Sequence, residues 1–97
     1  MWKQQRFRSG YEDYLNAFTD YNNANRLDER DGCYKKPGGP LTMYLVIANK
    51  PTDRQAVIES VVADADSVKA ACFKKAYLGL RMKLPPFSPI VLRFRMS

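Results

Sequence analysis

Residues 33–72 read CYKKPGGPLTMYLVIANKPTDRQAVIESVVADADSVKAAC, with the only two cysteines of the chain at its ends. Pro37-Gly38-Gly39-Pro40 fits neither a helix nor a strand interior and reads as a loop. It is not a phosphate cradle, because no Gly-Lys-Ser/Thr follows and no helix starts there. Leu41 to Ala48 is the most apolar run. Leu41, Met43, Leu45 and Ile47 alternate with Thr42, Tyr44, Val46 and Ala48, the period of a strand. Both sets are fairly apolar, which predicts a central strand or one whose second face is partly covered. Lys50-Pro51-Thr52-Asp53 turns the chain. A second strand follows over Gln55 to Ala63. There Ile58, Ser60 and Val62 alternate with Val57, Glu59 and Val61, and the period alone does not say which set faces in. Glu59 weighs towards Val57 and Val61 on the outer face. Asp66 or Ser67 then caps a helix. Val68, Ala71, Cys72 and Ala76 are its apolar positions, with Phe73, Tyr77 and Leu80 beside them, and Lys69, Lys74 and Lys75 are expected towards solvent. A strand, a turn, a strand and a helix thus lie between the two thiols.

The flanks pack onto that unit. Residues 1–10 hold three basic residues and no acid, with Trp2 and Phe7 among them, and read as a basic arm, either a poorly ordered terminus or one that touches an anionic surface, ahead of a single domain over 11–97. Tyr11, Tyr14, Leu15, Phe18 and Tyr21 follow the spacing of an amphipathic helix, predicted over Tyr11 to Arg30. Glu12 and Asp13 occupy its first turn, where the helix dipole favours acids. Asn22-Asn23-Ala24-Asn25 is poor helix material at which it can fray. Gly79 marks the end of the second helix, and Pro85-Pro86 forbids continuation. Ile90, Leu92, Phe94 and Met96 then alternate with Val91, Arg93 and Arg95, which predicts a last strand with the first set inward. The order helix, strand, strand, helix, strand defines an α+β fold with a three-stranded antiparallel sheet, the last strand returning beside the hairpin.

A chain of 97 residues, 45% hydrophobic and 12% aromatic, makes one small core. No run approaches a membrane span. Met-Trp-Lys-Gln-Gln-Arg is followed by no apolar signal region, so either the chain is cytosolic or a leader has been removed ahead of it. Two cysteines mean buried thiols inside the cell or one disulfide outside it. A Cys33–Cys72 bond is the expectation, against two free thiols. It would close a loop of about 40 residues, worth about 4 kcal/mol by chain entropy.

Several pieces resemble the C-terminal domain of TonB and its smaller bacterial cell-envelope relatives. They are Leu41-Thr-Met-Tyr-Leu-Val-Ile47, Val57-Ile-Glu-Ser-Val-Val62, the helix with Ala70-Ala-Cys72, and Lys83-Leu-Pro-Pro-Phe87 ahead of Val91-Leu-Arg-Phe94. The resemblance covers residues 33–97. The first turn, Pro51-Thr52-Asp53, stands where that family usually has a glycine-containing one. The resemblance implies a protein-interaction domain of the periplasm or a secreted one. Its partner strand would meet the last strand, Ile90, Val91, Leu92, Arg93, Phe94, Arg95 and Met96.

The residues offer little for catalysis. Histidine is absent, the serines lie in no nucleophile motif, and capping explains Asp64 and Asp66. The expectation is a non-enzymatic domain without metal or cofactor that takes a protein or peptide by β-strand addition. It would be a monomer or a weak homodimer. The competing class is nucleic-acid binding, since the net charge is +6 and Lys74, Lys75, Arg81, Lys83, Arg93 and Arg95 face no acid from residue 72 onwards. Residues 11–32 hold six acids and two arginines, which argues against nucleic acid along the first helix. A small secreted inhibitor or immunity-type protein is the third class, with no residue naming a target.

Overall fold

The computed structural model describes residues 2–25 and 32–96, with the side chain of Met96 excepted. In chain order the elements are α1 (Trp2–Gln5), α2 (Tyr11–Asn25), β1 (Leu41–Ala48), β2 (Ala56–Ala63), α3 (Val68–Tyr77), β3 (Arg81–Met82) and β4 (Ile90–Met96). The fold is α+β. The sheet is antiparallel throughout and has four strands, ordered β3-β2-β1-β4, rather than three. The additional strand, β3, has two residues, too few for any alternation to show in sequence. β4 returns beside β1, as the connectivity predicts.

Met43, Leu45, Ile47, Ile58, Ile90 and Leu92 have no solvent exposure and form the inner face of the sheet. Tyr11, Tyr14 and Phe18 of α2 and Ala70, Phe73 and Tyr77 of α3 close over that face in one cluster. Phe18 sits edge-on to Phe94 at 5.3 Å between ring centroids and tilted against Tyr77 at 6.2 Å. Each aliphatic side chain buried in this layer contributes about 1.5–3 kcal/mol over leaving it in water. β1 is the central strand, which accounts for its two apolar faces. On its outer side Tyr44 meets Trp2 of α1 in an edge contact.

Three sequence expectations about faces are corrected. In β2, Val61 is buried, not outward. Ser60 pairs with Val46 but Ile58 with Ile47, so Glu59 is the extra residue of a β-bulge. The bulge moves the phase by one, letting both Ile58 and Val61 face the core while Glu59 stays exposed. In α2, Tyr21 is exposed and Asn22 takes the next buried position. The buried stripe steps by four from Phe18, and Asn22 is satisfied there by the Tyr77 hydroxyl, which donates to its Oδ1. In α3, Lys69 is buried and Val68 is exposed. Its core face runs Ala70, Phe73, Tyr77, and the loop before β1 lies on the side where Lys69 emerges. The Lys69 N–H donates to the Pro37 carbonyl at 3.0 Å. Gly38, at φ +147°, allows that approach, since a Cβ there would stand 2.9 Å from the Lys69 Cβ. The predicted continuation of α2 to Arg30 lies outside the described residues.

Other local signals are borne out. Ser67 caps α3, its Oγ accepting from the Ala70 N–H at 3.1 Å. Gly79, at φ +86°, follows the end of α3, and its N–H donates to the Ile58 carbonyl at 2.8 Å, which starts the β3 pairing. The Asp53 N–H donates to the Lys50 carbonyl at 3.0 Å, and the Lys50 N–H to the Asp53 carboxylate at 2.8 Å, which closes the β1–β2 turn. Cys33 and Cys72 form a disulfide with their Cα atoms 5.4 Å apart, tying the loop before β1 to α3. No helix among the described residues is long and apolar enough to cross a membrane.

Candidate functional site: the outer edge of the last strand

β4 forms one edge of the sheet, and β3 the other. Along an antiparallel edge, alternate residues point their N–H and C=O groups away from the neighbouring strand. In β4 these are Val91, Arg93 and Arg95, paired across to Val46, Tyr44 and Thr42 without exchanging ladder bonds. The phase follows from Val91, whose two main-chain groups are engaged on the far side from β1. Its N–H donates to Gln5 Oε1 at 2.7 Å, and its carbonyl accepts from the Tyr11 hydroxyl at 2.6 Å. Gln5 Nε2 also donates to the Pro89 carbonyl at 3.1 Å. Two side chains of the N-terminal segment thus take the place that a neighbouring strand would occupy at Val91. The Arg93 N–H bears on the same Tyr11 oxygen.

What remains of the edge is short. The Arg93 carbonyl and both main-chain groups of Arg95 have no hydrogen-bond partner among the described residues. The Arg93 and Arg95 side chains are exposed on the outer face of the sheet. Val91 lies on the same face but is only 6% exposed, because α1 covers it. That differs from the sequence expectation of an outward Val91. Ile90 and Leu92 are buried and Phe94 is half-buried, so the inward set is as expected where it is described. The side chain of Met96 lies outside the described residues.

Arg93 closes one end of a cleft of about 270 Å³ lined by Trp2, Arg6, Tyr11, Glu12, Leu15 and Arg93. The guanidinium groups of Arg6 and Arg93 each lie 5.2 Å from the centroid of the Trp2 ring. Such cation–π contacts hold an arginine in place without neutralising it. Burial raises the Tyr11 phenol above its ordinary value, while the Arg93 N–H and Trp2 pull it back. Burial alone pushes Tyr14 up to about 12; its hydroxyl donates to the Lys83 carbonyl at 2.7 Å, which pins the link between β3 and β4. Gly10, at φ +84°, makes the turn between α1 and α2 so close to that link that a Cβ would stand 2.9 Å from Pro86.

The basic residues singled out from sequence do not all lie at one edge of the sheet. Lys74 and Lys75 lie exposed on α3, in the helix layer. Arg81 is exposed on β3, at the opposite edge of the sheet from Arg93 and Arg95. Lys83 follows β3 in the link. Asp64 finishes β2, its carboxylate accepting from the Thr42 N–H at 2.8 Å and its own N–H donating to the Thr42 carbonyl at 3.0 Å. Sequence reasoning missed Gln5 and Tyr11 as edge groups and Trp2 and Arg6 as cleft walls. The aromatic and basic make-up of the first ten residues was the available signal. Nothing local marked Gln5, because a helix of four residues shows no period. Comparison with protein-family models, with curated proteins and with solved structures returns no match.

Proposed function

We propose that this chain is a non-enzymatic interaction domain of an oxidising, extracytoplasmic compartment, of the TonB-like cell-envelope kind, which takes an extended protein segment along the open part of β4. The carrying observation is the division of that edge. Val91 is already paired by Gln5 and Tyr11, while the Arg93 carbonyl and the Arg95 N–H and C=O are left for an incoming strand. Main-chain hydrogen bonds supply affinity in strand addition, and the outward arginines set register against acidic residues of the partner. The other edge is a less suitable acceptor, since it is interrupted: β3 covers β2 only at Ala56 and Val57, and the bulge at Glu59 breaks the run beyond. The Cys33–Cys72 disulfide supports the compartment, because such bonds form and persist where the milieu oxidises thiols.

Pairing of two copies through the same edge would place Arg93 and Arg95 of each opposite those of the other. Like charges facing across a pair of strands disfavour it, so the domain is a monomer or a weak dimer. Nucleic-acid binding is the less favoured reading, because the arginine of β3 and those of β4 lie at opposite edges of the sheet.

The test uses peptides selected on the domain from a displayed random library. In Arg95→Pro the edge loses an N–H that does not belong to the β1 ladder, a place where a strand tolerates proline. Strand addition predicts that the variant keeps a melting temperature near that of the parent and loses the selected peptides. Undiminished binding by the folded variant would reject the edge as the site.

A further inference from the structure

The edge is open at one end only, and this constrains what an added strand does when it reaches Arg93. β4 runs from Ile90 to Met96, so an antiparallel partner enters beside Arg95 and travels towards Val91. There it meets Gln5 and Tyr11, which already hold both main-chain groups of Val91. The partner must turn away or end. The cleft of Trp2, Arg6, Tyr11, Glu12, Leu15 and Arg93 lies at that point. Its two guanidiniums are held against the Trp2 ring, and neither forms an ion pair among the described residues. Glu12 is the single acid in the lining, so two cations against one anion leave the cleft positive.

We infer that this cleft binds the free C-terminal carboxylate of the partner, so that the ligand is the extreme C-terminus of a protein, added antiparallel to β4 and ending beside Arg93. The inference rests on the strand-addition reading above. Charge decides the direction. A parallel strand would bring a chain's N-terminal side to the two arginines, where an ammonium group is repelled, whereas a carboxylate accepts hydrogen bonds from guanidinium groups in pairs. Arg6 comes from the turn after α1 and Arg93 from β4, so the cleft exists only while the N-terminal segment is docked on the sheet. The contacts that shorten the edge and those that build the cleft are thereby one feature. The blocked end is the carboxylate end of the site.

The test compares two random hexapeptide libraries on the intact domain, one with free C-termini and one amidated, with Arg95 amide exchange read for the bound peptides. The expected result is selection of free-acid peptides that protect the Arg95 N–H and weaken about ten- to hundredfold on amidation, the scale of a charge-assisted hydrogen bond. Arg6→Gln and Arg93→Gln each reduce that discrimination. Arg8→Gln removes the same charge from the guanidinium stacked on Phe87, outside the cleft, and leaves the discrimination intact. Amidated peptides that bind as well as free acids, with Arg95 still protected, overturn the carboxylate site but not strand addition. Peptides from either library that bind without protecting Arg95, or no binders at all, overturn both. Protection of Arg95 in the domain alone at high concentration would assign the edge to a second copy and also overturn the inference.

Discussion

Single side chains decide what the edge and the core can do. Tyr14 donates to the Lys83 carbonyl from a buried position, and burial pushes its phenol up to about 12. The unfolded chain ionises this group near the ordinary value of 10.0. A raised phenol therefore contributes stability that is intact below pH 10, declines as the unfolded chain ionises, and is gone once the folded group ionises near pH 12. Tyr11 is raised too and adds in the same direction. Tyr14→Phe is expected to cost about 0.5–1.5 kcal/mol at neutral pH for the lost hydrogen bond. It also flattens the fall of stability in alkali, read by denaturant melts across that range. Equal alkaline slopes in parent and variant would contradict the assignment. Leu45 is fully buried at the centre of the inner face, and its truncation to alanine is expected to cost about 2–5 kcal/mol. Arg95→Ala, on the exposed side, is expected to cost under about 0.5 kcal/mol. Similar losses in both melts would mean that the strand phase is wrong.

The elements differ in how much of them could be read beforehand, and the reason is the range over which each is determined. β1 and β4 show their period within their own seven or eight residues, so Leu45 and Leu92 were legible as core. The Ser67 cap and the Gly79 stop were legible because a helix end is a local event. The phase of β2 beyond Ile58 was not, since the bulge at Glu59 exists only against β1. The burial of Lys69 was not legible either, because nothing in α3 reveals the loop through Gly38 that covers it. The candidate site was half legible. Arg93 and Arg95 could be placed outward from alternation, but the closure of Val91 by Gln5 and Tyr11 joins residues 86 and 80 positions apart. The disulfide acts at this scale, holding the loop before β1 against α3 across 39 residues of chain. Reduction is expected to lower unfolding free energy by about 2–5 kcal/mol, measured by denaturant melts with and without reductant. No change in midpoint would show that the fold does not depend on the cross-link.

Across the whole molecule a net charge of +6 is spread rather than focused. The exposed cations sit in the N-terminal segment, in the loop before β1, in the β1–β2 turn, on α3, at β3 and along β4, so they are not gathered on one sheet edge. Retention of DNA on the domain is therefore expected to be weak even at low salt; tight retention that is lost at moderate salt would favour the nucleic-acid reading. What the molecule does present in one place is an unfinished sheet edge, stopped at Val91 and flanked by Arg93 and Arg95. Residue-resolved amide exchange, with and without a saturating peptide selected on the domain, tests that edge directly. Strand addition predicts that the Arg95 N–H exchanges freely alone and becomes protected with the peptide, while the Val91 N–H, already held by Gln5, changes little. Protection gained elsewhere on the domain, with Arg95 exchanging as before, would contradict it.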